Sequence, residues 1–124
     1  MKTSKTVLIV DDDLILAHAL RDKLNRDEID VIQAGDGEEG LQVAFEKHPD
    51  LILLDVVMPK VDGISVLKRL RGDDWGKNVP IILLTNLDKS CNEVSYLGYK
   101  NCSCIIKANS KLAEVVAEIE RRLQ

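Results

Sequence analysis

The chain is 124 residues long, a length that suits one domain. Hydrophobic residues make up 45%, charged residues 31% and aromatic residues 3%, a balance that supports a packed core and argues against intrinsic disorder. The formal net charge is −4, so no global positive field draws the chain onto nucleic acid or anionic lipid.

The first apolar run, residues 6–10, is too short for the core of a secretory signal. It is apolar on successive positions, which suits a strand covered on both faces. A helix over 14–26 follows, with Ala17, Leu20 and Leu24 at helical spacing. A second strand at 30–34 leads through Gly35-Asp36-Gly37 to a helix over 38–47, which His48-Pro49-Asp50 ends. The run 51–54 stops at Asp55, and a turn at 59–63 leads into a helix over 64–71. The loop at 72–80 holds Trp75, which either covers a sheet edge or makes an exposed contact. A fourth run, 81–84, stops at Thr85-Asn86. The helix expected over about 89–97 is weakly marked, because Ser90, Asn92 and Ser95 are poor helix formers. The run 102–106 stops at Lys107. The last helix, over 110–123, puts Leu112, Val115, Val116, Ile119 and Leu123 on one face, with Ser110 as its N-cap.

Strand and helix thus alternate five times with no internal repeat and no linker. That pattern predicts an α/β fold in one domain over 1–124: an open parallel sheet with helices on both faces, joined by right-handed crossovers. No apolar run reaches the roughly 20 residues that cross a bilayer. Three cysteines, Cys91, Cys102 and Cys104, do not make a disulfide framework. A cytoplasmic protein is the expectation. Cys102 and Cys104 fall on one face of a strand and read as buried thiols. His18 and His48 read as a helix residue and a pre-proline loop residue without a chemical role.

Ligands of open α/β sheets bind outside the carboxyl ends of the strands. Here the first strand ends in Asp11-Asp12-Asp13, the third in Asp55, the fourth in Thr85-Asn86 and the fifth in Lys107. Crowded carboxylates repel one another, and a hard divalent cation such as Mg²⁺ removes the conflict while accepting waters and phosphate oxygens. The plainer reading makes Asp13 a helix cap and Asp11 and Asp12 solvated loop acids. Asp55 is either a paired structural acid or a nucleophile able to carry an aspartyl phosphate. Lys107 could neutralise a phosphoryl oxygen and the Thr85 hydroxyl could donate to another. Taken alone, Lys107 is a strand-end lysine reaching water.

The combination Val7-Leu8-Ile9-Val10-Asp11-Asp12, Leu53-Leu54-Asp55-Val56-Val57-Met58-Pro59, Asp62-Gly63, Leu84-Thr85 and Lys107 resembles the receiver domain of two-component response regulators, with order and spacing kept from about Lys5 to the C-terminus. The resemblance implies a flavodoxin-like (βα)5 three-layer sandwich with a five-stranded parallel sheet of order 2-1-3-4-5, an order named for this family's chemotaxis member. It implies that Asp55 accepts a phosphoryl group from a histidine kinase or phosphotransfer protein. Asp11, Asp12 and Asp55 would hold Mg²⁺, helped by the backbone carbonyl of Val57, and Thr85 and Lys107 would contact the phosphoryl group. Phosphorylation would then bias the face made by the fourth helix, fifth strand and last helix toward a downstream protein partner, as a monomer or a phosphorylation-dependent dimer, with no direct contact to nucleic acid or membrane. No output domain is present in 1–124, and a stand-alone receiver is expected over an excised one.

The departures from the family pattern carry expectations of their own. Ala108 follows Lys107 where the family has a proline in a cis peptide. A non-proline cis bond costs about 3 kcal/mol, so this loop is either trans or strained. Asn86 stands where a small residue is usual, and restricts access to the phosphoryl group or adds a hydrogen bond to it. Cys104 stands at the family's aromatic switch position, so rotation of an aromatic ring coupled to Thr85 is not the switch here. Val57 and Leu87, two residues after the phosphoacceptor and two after the threonine, are apolar and cannot orient an attacking water, which predicts slow autodephosphorylation. Two competing readings are a receiver-like interaction module that is never phosphorylated, and a hydrolase or flavin protein on the same fold. Against the latter stands the Asp-rich first loop, which repels phosphate unless a metal intervenes.

Overall fold

The computed structural model of the chain describes residues 5–56, 62–85, 98, 100–107 and 111–123. The helix expected over about 89–97, the Ser110 cap, and Val57, Asn86, Leu87 and Ala108 lie outside the described residues. Five parallel strands, β1 (Thr6–Val10), β2 (Asp30–Ala34), β3 (Leu51–Asp55), β4 (Ile81–Thr85) and β5 (Cys102–Ile106), form one sheet of order β2-β1-β3-β4-β5. The described helices are α1 (Leu14–Arg26), α2 (Gly37–Lys47), α3 (Gly63–Arg71) and α4 (Leu112–Leu123). This is the flavodoxin-like arrangement expected.

The continuous apolar runs are explained by burial on both faces. On one face Leu8, Val10, Ile52, Leu54, Ile81 and Leu83 pack with Leu41 and Ala44 of α2 and Val66, Leu67 and Leu70 of α3. On the other, Val7, Ile9, Leu51, Leu53, Ile82 and Leu84 pack with Ala17, Leu20 and Leu24 of α1 and Val115, Val116 and Ile119 of α4. Every residue of the two central strands β3 and β4 is buried, whereas the edge strand β5 is half-buried throughout.

Four of the expected boundaries move by one residue at the end where the site lies, and they move for a reason. β3 includes Asp55, which pairs in register with Leu84, and β4 includes Thr85, which pairs with Ile106. The polar residues are therefore held in the sheet and not in the loops. At the helix starts, the Asp36 carboxylate accepts from the Glu39 N–H at 2.9 Å and the Asp62 carboxylate from the Ser65 N–H at 2.9 Å. Each acts as an N-cap, so α2 and α3 begin at Gly37 and Gly63, one residue earlier than periodicity suggests. α4 begins later than expected: the Lys111 carbonyl accepts the Val115 N–H at 3.2 Å, and the first helical residue is Leu112.

Trp75 is half-buried and packs against the α2 and α3 side of the core. It stacks on His48, with ring centroids 4.4 Å apart and planes 9° from parallel, and meets the edge of Phe45 at 6.3 Å. His48 holds a left-handed conformation (φ 47°) at the end of α2. The stack sits beside Pro49, Val79 and Pro80, which precede β3 and β4, so it occupies the end of the sheet opposite Asp55.

Candidate functional site

The carboxyl ends of β1, β3, β4 and β5 bring Asp11, Asp55, Thr85 and Lys107 to one edge. Asp11, Asp55 and Thr85 are buried, with relative exposures of 2%, 6% and 0%, while Asp12 is exposed. Burying charged and polar side chains costs free energy unless partners are supplied. Asp11 has two: its Oδ1 accepts the Asp13 N–H at 2.8 Å, and its Oδ2 accepts from Lys107 Nζ at 3.3 Å. The same ammonium lies 3.4 Å from Asp55 Oδ2. Lys107 therefore bridges two strand ends that are otherwise like-charged.

Burial works to lower the Lys107 pKa, but attraction to Asp11 and Asp55, together with hydrogen bonds to both, outweighs it and leaves the pKa above its usual value. The lysine is a fixed positive charge in the site. It is not the solvent-seeking strand end that it would be if read alone.

The Asp triplet divides by role. Asp13 caps α1, accepting from the N–H groups of Ile15 at 3.1 Å and Leu16 at 3.2 Å, which is the plainer reading for that residue. Asp11 and Asp12 turn instead toward Asp55: one oxygen from each of the three lies within 4.8 Å of the others. Among the described residues, Lys107 is the cation that the cluster's acids Asp11 and Asp55 pair with. All the donors are hard oxygens, and their spacing is compatible with shared coordination of a small divalent cation. The donor set fits Mg²⁺.

Of the residues flagged by their departures, Cys104 lies half-buried on β5 beside Cys102, against the α2 and α3 side of the core. Cys102 is a free thiol. Burial pushes its pKa up, against the opposing pull of Arg71 and Arg122. Cys104 is disulfide-bonded, so it is not the buried thiol expected of it. His18 is exposed on α1. Sequence reasoning assigned no part to Gly63 beyond its motif, although it is bonded to the residue after the phosphoacceptor candidate: the Gly63 N–H donates to the Val56 carbonyl at 2.8 Å.

A parallel sheet of order 2-1-3-4-5 with an acid-rich, lysine-bridged site at its carboxyl edge defines a flavodoxin-like α/β protein whose polar chemistry sits at the strand ends. Within that class, the chain belongs to the response regulator receiver domain family, which matches residues 7–120. It is 44% identical over 91 residues to the alkaline phosphatase synthesis transcriptional regulatory protein PhoP of Bacillus subtilis, a match covering 73% of this chain and 37% of that protein. It is 37% identical over 124 residues to the probable transcriptional regulator ycf27 of Guillardia theta, covering 100% of this chain and 46% of the relative. The chain thus spans less than half the length of these curated relatives. Among solved structures it resembles the receiver domain of the Francisella response regulator 1452, with a TM-score of 0.83 at 30% identity over 97% of both chains. It also resembles the Thermotoga maritima response regulator protein TrrA in complex with Mg²⁺ and BeF, with a TM-score of 0.81 at 28% identity over 97% of this chain and 99% of that one. Among the described residues, no helix is long and apolar enough to cross a membrane.

Proposed function

We propose that this chain is a phosphorylation-dependent signalling switch whose phosphoacceptor is Asp55. One observation carries the reading: the Asp55 carboxylate is buried at the end of β3, 3.4 Å from Lys107 Nζ, and shares a 4.8 Å cluster with Asp11 and Asp12. A carboxylate oxygen of Asp55 attacks the phosphorus of a phosphohistidine on a kinase or phosphotransfer protein. The new P–O bond forms as the P–N bond breaks, and the released imidazole nitrogen takes up a proton. Phosphoryl transfer of this kind asks the protein mainly for positioning and for charge at the equatorial oxygens. Lys107 supplies fixed positive charge, and Thr85, fully buried at the end of β4, supplies a hydroxyl. Asp11, Asp12 and Asp55, with the Val57 carbonyl, would hold Mg²⁺, which supplies charge neutralisation for the phosphoryl oxygens. The Mg²⁺–BeF complex of the Thermotoga relative supports that choice of ion.

The donor protein docks near the site. Leu14 and Ile15, 59% and 85% exposed, open α1 beside the acidic cluster, and an apolar hollow formed by Leu16, Leu84, Leu112 and Val115 adjoins Lys107. Output is read on the β5 and α4 face, where Ser103, Cys104 and Ile105 border a cleft with Glu118, Arg121 and Arg122. The reading places the chain in the cytoplasm and treats 1–124 as a single phosphoacceptor unit.

The test is intact-mass analysis after acetyl phosphate and Mg²⁺. Wild type should gain the mass of one phosphoryl group, and Asp55→Asn should gain none; an adduct on both proteins rejects Asp55 as the acceptor, and an adduct on neither favours an interaction module that is not phosphorylated. The same sample tests the lifetime. With apolar Val57 and Leu87 unable to position water, the phospho-form should outlast that of Val57→Asn/Leu87→Glu by at least about tenfold, since positioned acid–base groups contribute more than that. Equal decay in the two proteins removes that role.

A further inference from the structure

Helix α3 starts unusually close to the strand end that bears the phosphoacceptor. A Cβ built on Gly63 would lie 2.4 Å from the Asp55 carbonyl oxygen, 2.7 Å from Val56 Cα and 3.0 Å from the Asp55 carbonyl carbon. Carbon atoms in ordinary contact sit about 3.5–4.0 Å apart, so no side chain fits without displacing backbone. The Gly63 N–H donates to the Val56 carbonyl at 2.8 Å, and on the other side the Val56 N–H donates to the Leu84 carbonyl at 2.9 Å. Val56, directly after Asp55, is thereby held through its carbonyl by the first turn of α3 and through its N–H by strand β4. α3 is itself fixed by the burial of Val66, Leu67 and Leu70, and its entry is set by the Asp62 cap.

We propose that Gly63 is a positioning residue for the phosphoryl-transfer site: the missing Cβ lets α3 seat on the Asp55–Val56 peptide and so sets where the Asp55 carboxylate stands relative to Asp11, Asp12 and Lys107. Neither the cap nor the core can take up the displacement that a methyl group would demand, because both hold α3 in place while β4 holds the strand. A displacement of about 1 Å at a reacting group is enough to cost roughly 100-fold in rate. The proposal rests on the reading of Asp55 as the phosphoacceptor.

Gly76 provides a matched control. Its Cβ would meet the Leu70 carbonyl oxygen at 2.2 Å, a comparable backbone clash, but in the loop after α3 at the opposite end of the sheet. The experiment uses the full chain as wild type, Gly63→Ala and Gly76→Ala, reading melting temperature, Mg²⁺ affinity by calorimetry, and acetyl phosphate labelling by mass. Both variants should melt lower, but only Gly63→Ala should lose Mg²⁺ affinity and labelling rate, each by about tenfold or more. Mg²⁺ affinity in Gly63→Ala within about twofold of wild type, or an equal loss in Gly76→Ala, overturns the proposal. If Gly63→Ala does not fold, an Mg²⁺ titration of wild type followed by NMR decides. The Gly63 amide, bonded to Val56, should shift while the Gly76 amide stays still, and an unmoved Gly63 amide overturns the proposal. Failure of the underlying reading looks different: wild type itself would bind no Mg²⁺ and gain no phosphoryl group relative to Asp55→Asn, and the proposal would fall with it.

Discussion

Lys107 is the residue on which the electrostatics of the site turn. Its ammonium lies 3.3 Å from Asp11 and 3.4 Å from Asp55, and hydrogen bonds to charged groups contribute about 1.5–3 kcal/mol each when one partner is removed. Lys107→Met keeps the aliphatic stem but leaves three carboxylates facing one another, so in metal-free buffer it should lower stability by about that amount. The pH dependence follows from the direction of the shift. The folded-state pKa is raised, so the stability due to pairing is fully present below the unfolded-state value near 10.4 and is lost as pH rises through the folded-state value. Denaturant melts of wild type and Lys107→Met should therefore differ by a constant amount from about pH 7 to pH 9, and the difference should shrink only above about pH 10. A difference that disappears between pH 7 and pH 9 would mean that the lysine is not held as a charged bridge.

At the scale of elements, α3 does more than cover the sheet. Its last residue, Arg71, donates to the carbonyls of Gly76 at 2.6 Å, Lys100 at 2.9 Å and Asn101 at 3.1 Å. Asn101, in a left-handed conformation (φ 56°), donates in turn from its side chain to the Asn78 carbonyl at 3.2 Å. One guanidinium thus ties α3, the loop before β4 and the entry to β5, an edge strand with a neighbour on one side only. Arg71→Ala should free the start of β5 while leaving the carboxyl-edge site formed. Hydrogen exchange would read this as faster exchange at residues 100–104 with Asp11 and Asp55 amides unchanged; unaltered exchange at 100–104 would show that pairing with β4 alone holds the strand. None of this clamp was legible in the sequence, because arginine near a helix C-terminus is expected from the helix dipole alone and its three carbonyl partners come from other segments. The strands were legible, since burial on both faces writes continuous apolar runs. The starts of α2 and α3 were displaced by one residue, because propensity counts glycine against a helix while the Asp36 and Asp62 caps make Gly37 and Gly63 the first helical residues. The convergence of Asp11, Asp55, Thr85 and Lys107 was legible because parallel strands place all their carboxyl ends at one edge. The division of labour within Asp11-Asp12-Asp13 was not, because only backbone geometry separates a cap from a site acid.

Across the whole molecule, the site gathers acids at one end of a sheet whose core is apolar, and folding alone brings Asp11, Asp12 and Asp55 within 4.8 Å. The unfolded chain scatters them over 44 positions. An ion bound by the cluster therefore binds the native state and stabilises it by RT ln(1 + [L]/Kd), about 1.4 kcal/mol at ten times its dissociation constant. For a domain near this size that corresponds to a rise in melting temperature of roughly 4–8 °C. The increment should be specific to the cluster. Asp12→Asn removes the exposed donor, which neither lies in the core nor caps a helix, so the variant should fold with unimpaired metal-free stability but lose most of the Mg²⁺-dependent rise. Differential scanning calorimetry with and without Mg²⁺, at ionic strength matched with NaCl, separates coordination from screening. Screening relieves the repulsion among carboxylates for any salt, whereas coordination requires the divalent ion and Asp12. If NaCl alone raised the melting temperature as far as Mg²⁺ does, or if Asp12→Asn kept the full Mg²⁺ response, the three carboxylates would be an acidic patch and not an ion site.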